Sequence, residues 1–145
     1  MSDIHILVGS TLGGSEYVAD ALCETLQQHQ HQVQIHLSPD LGSLPTSGIW
    51  LLCSSTHGAG ELPDNIQPFA EQLAGKPDLS QIRFAVFAIG DSSYDTFCEG
   101  GKQLEKAMIA CQATEIWPRI DIDVLAEQLP EDLANAYLEA QISKI

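Results

Sequence analysis

Three short stretches combine glycines, hydroxyls and aromatic rings at spacings suited to holding a ligand. The first is Gly9-Ser10-Thr11-Leu12-Gly13-Gly14-Ser15. Its glycines allow tight turns and close backbone approach. The hydroxyls of Ser10, Thr11 and Ser15 can donate to phosphate oxygens. A helix capped at Ser15 would add free N–H groups and partial positive charge. The stretch has no Lys or Arg, so it is not a triphosphate loop ending in Gly-Lys-Ser/Thr. Thr11 stands where G-x-G-x-x-G needs its second glycine, so the dinucleotide fingerprint fails too. A neutral, hydroxyl-rich cradle suits a single terminal monophosphate. The same residues would also serve as a plain strand-to-helix turn.

The second stretch is Ser55-Thr56-His57-Gly58-Ala59-Gly60, continuing through Glu61-Leu62-Pro63-Asp64-Asn65. Two glycines open backbone conformations closed to other residues. A peptide that can flip could answer a change in a ligand's protonation. His57 offers a flat ring to a planar ligand, or stands as a solvent-exposed loop histidine. The third stretch is Gly90-Asp91-Ser92-Ser93-Tyr94-Asp95-Thr96-Phe97-Cys98. Tyr94 can stack on an aromatic ligand, or pack on its own loop. Phe97 reads as a packing residue that steadies the loop. Cys98 has no evident base or partner thiol, so it reads as a neighbour of the ligand without chemistry. The cysteines at 23, 53, 98 and 111 form no C-x-x-C pair and no zinc-site spacing. The sequence presents no catalytic group and no metal site.

Each stretch must be positioned by a strand that precedes it. Nearly continuous apolar runs at 4–8, 48–54 and 84–89 read as strands buried on both faces. Residues 33–37 alternate and read as an edge strand, and a short strand is expected over 114–117. Helical spacing covers 15–28, 66–73, 101–111 and 131–145. Alternating strands and helices predict a doubly wound α/β fold with a five-stranded parallel sheet and helices on both faces. In such sheets ligands bind beyond the carboxyl ends of the strands, where all three stretches fall. No linker or repeat interrupts residues 1–145, which read as a single domain.

Composition narrows the function. The chain carries 20 acidic residues against 6 basic ones, and its first Lys or Arg is Lys76. Such a surface repels nucleic acid and anionic membranes and suits a basic-faced partner. No apolar run reaches the roughly 18 residues of a membrane helix. The first residues lack the pattern of a secretory signal, so a cytoplasmic location is expected.

Together the three stretches resemble the flavodoxin family. Gly-Asp-Ser-Ser-Tyr-x-x-Phe-Cys and Ser-Thr-x-Gly-x-Gly-Glu are similar to the FMN modules of sulfite reductase and cytochrome P450 reductase. Gly-Ser-Thr-Leu-Gly-Gly, Ser-Thr-His-Gly-Ala-Gly and Tyr-Asp-Thr-Phe-Cys resemble the short, stand-alone bacterial members of MioC type. The resemblance implies strand order 2-1-3-4-5 and FMN as cofactor. It implies that Ser10 to Ser15 hold the phosphate. Thr56, His57, Gly58 and Ala59 would line one side of the flavin ring, and Tyr94 would stack on the other. Leu12 stands where the family usually has Thr, and His57 where many members carry Trp or Tyr, which implies weaker FMN binding. Electrons would arrive from a separate flavodoxin/ferredoxin–NADP reductase and leave to an acceptor such as the radical enzyme biotin synthase. Glu61, Asp64, Asp91, Asp95, Glu99, Asp121 and Asp123 would disfavour further negative charge on the reduced cofactor. The rival readings are a flavin-dependent NAD(P)H quinone or nitro reductase, which would need a nicotinamide pocket, and a non-redox regulatory domain.

Overall fold

The computed structural model describes residues 2–10, 14–57 and 60–145. The chain runs β1 (Asp3–Gly9), α1 (Gly14–Gln28), β2 (Gln32–His36), β3 (Gly48–Ser55), α2 (Gln67–Ala74), β4 (Ile82–Gly90), α3 (Glu99–Ala110), β5 (Thr114–Glu115), β6 (Ile120–Asp123) and α4 (Pro130–Gln141). The sheet order is β2-β1-β3-β4-β5, with every pairing parallel. Alternate residues of each central strand point to opposite faces. Ile49, Leu51 and Cys53 of β3 join the core that contains the buried faces of α1 and α4. Trp50 and Leu52 join the core of α2 and α3. Two-sided burial is why these strands read as unbroken apolar runs.

The fifth position differs from the single strand expected over 114–117. It is filled by two short strands, β5 and β6, both paired with β4. Pro118 falls in the gap and has no N–H to give a ladder. Trp117 turns inward there, 2% exposed. Its ring meets Phe87 edge-on and lies against Tyr137 of α4. Helix ends also shift. The third helix starts at Glu99, after Cys98 in a left-handed conformation (φ 58°). The last helix stops at Gln141 and closes with a 3-10 turn over Ile142–Lys144.

Helix α3 lies very close to the sheet. A Cβ on Gly101 would stand 2.3 Å from the Ala88 Cβ, and one on Gly100 would stand 2.7 Å from the Ser55 carbonyl oxygen. Alanine at 101 would gain about 1 kcal/mol of helix propensity. Overpacking a core costs about 1–3 kcal/mol, and a 2.3 Å approach belongs at the upper end. Gly101→Ala is therefore expected to destabilise the fold by about 2 kcal/mol net, read as a lower denaturant midpoint with an unchanged slope. An unchanged midpoint would mean that the close contact does not exist.

An ionic clasp ties the split position to α3. The Arg119 guanidinium donates to Glu105 on α3 and, at 2.7 Å, to Asp121 on β6. Beside it, burial pushes the Glu115 carboxyl up to about 7, helped by a hydrogen bond with Glu105 and that group's charge; Arg119 opposes the shift. The folded chain therefore keeps a proton that the unfolded chain has lost between the ordinary value of 4.5 and about 7. Stability from this group is fully present below that window and is lost as pH rises through it. Glu115→Gln should flatten this slope in melting curves from pH 4.5 to 8. After allowance for solvent screening it should stabilise the protein at pH 8 by about 1–2 kcal/mol. A pH dependence identical to the parent's would exclude Glu115 as its source.

Candidate functional site

The loops after β1, β3 and β4 meet at one end of the sheet. Between the second and third lies an open cavity of about 280 Å³, lined by Thr56, Gly90, Asp91, Tyr94, Thr96, Phe97 and Cys98. Tyr94 is 64% exposed at its mouth, leaving ring area free to cover a flat ligand. Thr96 stands inside the third stretch, where the sequence gives it no individual role.

The third loop is fixed mainly by its own polar groups. Asp91 accepts from the backbone N–H and hydroxyl of Ser93, at 2.9 and 2.6 Å. The N–H groups of Tyr94 and Phe97 donate to the carbonyls of Asp91 and Tyr94. The Ser92 N–H donates to Asp123 Oδ1 at 3.2 Å, and Leu125 N–H donates to the same oxygen at 3.0 Å. Bonds from Ser92 and Leu125 hold the Asp123 carboxyl below the usual range, the Ser92 side chain first. Ser92 and Ser93 thus shape the loop. Cys98 is buried, and its Sγ contacts the Ala88 carbonyl oxygen at 3.5 Å. Burial, then the charge of Asp121, pushes its thiol up to about 12, so it stays protonated and inert.

The second loop closes on itself. The His57 N–H donates to the Glu61 carbonyl at 2.7 Å, and the Glu61 N–H returns a bond of 2.9 Å. Gly60 holds a φ of 113°, a conformation that side chains rarely adopt. Long-range bonds anchor the loop to α3. Gly100 N–H donates to Thr56 Oγ1 at 2.9 Å, and Gln103 Nε2 donates to the Gly60 carbonyl at 2.7 Å. His57 is exposed, next in the chain to Thr56. Ser55 Oγ donates to the Gly9 carbonyl at 3.4 Å, which ties the second loop to the first. Gly58 and Ala59 lie outside the described residues.

Of the first loop, Thr11, Leu12 and Gly13 lie outside the described residues. Ser15 departs from the expected cap: α1 already begins at Gly14, so Ser15 sits inside its first turn. Its Oγ is buried and has no hydrogen-bond partner among the described residues. Leaving a buried hydroxyl unpaired costs about 1–3 kcal/mol. An anion at the start of α1 would satisfy it, together with the unpaired N–H groups of the first turn. The residues present therefore fit a phosphate.

Asn65 closes the second stretch, where the sequence assigns it no role. Its Oδ1 accepts from the Ser10 N–H at 2.9 Å. Its Nδ2 donates to the Val8 carbonyl at 2.6 Å and the Leu37 carbonyl at 2.8 Å. One side chain thus joins the second loop to the exits of both β1 and β2. An Asn just ahead of a helical pattern signals only a possible cap. Among the described residues, no cluster of three or more His, Cys, Asp or Glu could hold a metal.

Comparison with known proteins agrees with this geometry. Residues 6–137 match the flavodoxin family. Protein MioC of Escherichia coli K12 is 44% identical over 144 residues, which cover 99% of this chain and 98% of that protein. The sulfite reductase flavoprotein alpha-component of Bacillus subtilis is 36% identical over 126 residues, 84% of this chain and 21% of its own length. Among solved structures, a mutant of flavodoxin from Pseudomonas aeruginosa superimposes with a TM-score of 0.89 at 30% identity, covering 98% of this chain and 97% of that one.

Removing the Asn65 side chain should loosen the first loop specifically. Asn65→Ala is expected to cost about 2 kcal/mol of stability from three lost hydrogen bonds. It should also weaken FMN about tenfold or more while leaving riboflavin, which lacks the phosphate, nearly unaffected. Equal losses for both flavins in fluorescence titrations would show that Asn65 does not act through the phosphate loop.

Proposed function

The chain belongs to the flavodoxin family, and from that premise we propose that it binds FMN across its three loops. We further propose that it carries single electrons between a separate reductase and an acceptor enzyme. The observation that carries this reading is a coincidence in space. An unpaired buried hydroxyl at the start of α1 and an open cavity under Tyr94 lie at the same end of the sheet. A terminal phosphate and a flat ring are the two ends of FMN.

When bound, FMN supplies a flavin that accepts and releases electrons one at a time. The protein positions it. Ser10, Thr11, Leu12, Gly13, Gly14 and Ser15 would hold the phosphate with neutral donors and the α1 N-terminus. Ser55, Thr56, His57, Gly58, Ala59 and Gly60 would form one wall. Gly90, Asp91, Ser92, Ser93, Tyr94, Phe97 and Cys98 would form the other, with Tyr94 offering its ring. No Lys or Arg lies in any of these stretches, Lys102 on α3 being the nearest in sequence. Residues 1–145 act as one FMN-binding domain in this reading.

Charge supports a basic-faced partner at each end of the cycle. The donor in this reading is a flavodoxin/ferredoxin–NADP reductase, and the acceptor a radical enzyme such as biotin synthase. Among the described residues no helix is long and apolar enough to cross a membrane, which supports a cytoplasmic carrier.

The purified protein should take up FMN, and stepwise reduction should resolve two one-electron steps. It should not oxidise NAD(P)H unaided; steady oxidation would instead identify a reductase. Surface carboxylates act on the cofactor by a few tenths of a kcal/mol each. Neutralising Glu61, Asp95 and Asp121 together should raise the lower potential by about 1 kcal/mol, roughly 40 mV for one electron. Unchanged potentials at low salt would remove these carboxylates from the tuning.

A further inference from the structure

Seven large apolar side chains are exposed among the described residues, and they are not spread evenly. Tyr17, Leu37, Tyr94, Val124, Leu125 and Leu129 all stand at the carboxyl end of the strands. Only Ile109, near the end of α3, lies elsewhere. Three of the six occupy one loop, residues 124–129 between β6 and α4. Val124 is 45% exposed, Leu125 60% and Leu129 58%. None of them lines the cavity under Tyr94, so a cofactor seated there leaves them in water. Exposed apolar groups gathered in one place mark an interaction surface.

The start of this loop is built, not slack. The Val124 N–H donates to the Gly90 carbonyl at 2.8 Å, and the Ala126 N–H to the Asp123 carbonyl at 3.1 Å. Asp123 holds Leu125 and Ser92 through a single carboxylate oxygen. The loop is therefore fixed to the third cofactor loop, and a surface already ordered loses little entropy on docking.

Charge decides what docks. From 121 to 132 the chain holds Asp121, Asp123, Glu127, Glu131 and Asp132, and no Lys or Arg. Three of the six cations, Lys76, Arg83 and Lys144, gather at the opposite end, while Lys102 and Lys106 lie on α3. Arg83, near the start of β4, donates to the Lys144 carbonyl, and Lys76 lies in the turn before β4. Arg119 is engaged by Glu105 and Asp121. A second copy would set one chain of net charge −14 against another, which opposes association. A partner with a basic rim and an apolar centre matches both features.

We propose that the 124–129 loop is the apolar anchor on which a basic-faced redox protein docks, with the surrounding carboxylates steering its approach. The proposal rests on the electron-carrier reading and adds the place of contact. Carboxylates set the encounter rate, and their effect fades as salt shortens the screening length. Leu125 and Leu129 set how well the encountered partner stays, which salt does not weaken.

The test uses FMN-loaded, reduced protein and a small basic c-type cytochrome as the probe, with electron transfer followed by stopped flow. Leu125→Ser combined with Leu129→Ser should lower the second-order rate about tenfold at both low and high salt. FMN affinity and both potentials should stay unchanged. Glu127→Gln combined with Glu131→Gln should lower the rate at low salt only. Ile109→Ser, at the far end, should change nothing. A doubly substituted leucine variant that transfers electrons at the parent's rate overturns the proposal while leaving the carrier reading intact. A parent dimer in sedimentation that the same variant dissociates also overturns it, in favour of a second copy. If the parent protein takes up no FMN, the underlying reading fails first, and the spectrum shows this before any rate is measured.

Discussion

A sheet buried on both faces is the constraint from which the molecule follows. The central strands contribute alternate residues to two separate cores, so helices must cover both sides. Parallel strands covered in this way need crossovers, and each crossover returns the chain to the same edge of the sheet. Helices α1 and α3 therefore start where β1 and β4 end. Loops, helix N-termini and unpaired backbone donors gather at one end because the cores demand it. The site is a by-product of burial, refined by a few polar residues.

Those polar residues act over long sequence distances. Asn65 reaches back to Ser10, Val8 and Leu37. Thr56 is tied to Gly100, and Gln103 to Gly60. Asp123 holds the third loop from a strand that contributes nothing to the cavity. Each bond is worth only about 1 kcal/mol. Their value lies in geometry: loops fixed in advance lose less freedom when a ligand arrives. The close packing of Gly100 and Gly101 on the sheet serves the same end, since it brings the α3 N-terminus within reach of Thr56.

Much of this was legible in the sequence, for reasons that also set the boundary. Unbroken apolar runs reveal two-sided burial, and the order of strands and helices then leaves few topologies. All seven residues lining the cavity lie within the motifs, because tight turns demand particular residue types. The split fifth position was not legible. Trp117 and Pro118 fit the end of a strand as easily as a break, and only a hydrophobic slot beside Phe87 and Tyr137 decides between them. Ser15 read as a cap because helix starts shift by a residue without changing the pattern. Asn65 and the Arg119 clasp are tertiary facts. Charges at 105, 115, 119 and 121 look like solvated surface until α3 is laid against β5 and β6.

The acidic surface links two properties, the cofactor's potential and the approach of a partner. In the proposed reading, a cofactor that gains negative charge on reduction is held by neutral donors, among carboxylates that outnumber the cations of this end. This lowers the tendency to accept the last electron and so makes the reduced carrier a stronger donor. In the same reading these carboxylates would form the field that a basic partner follows inward. Steering alone would also gather cations that cannot accept electrons. The apolar side chains at this end supply the remaining discrimination, because simple cations cannot cover them and a shaped protein surface can. On this proposal, charge would bring a partner to the correct end of the molecule, and apolar contact would select which arrivals remain.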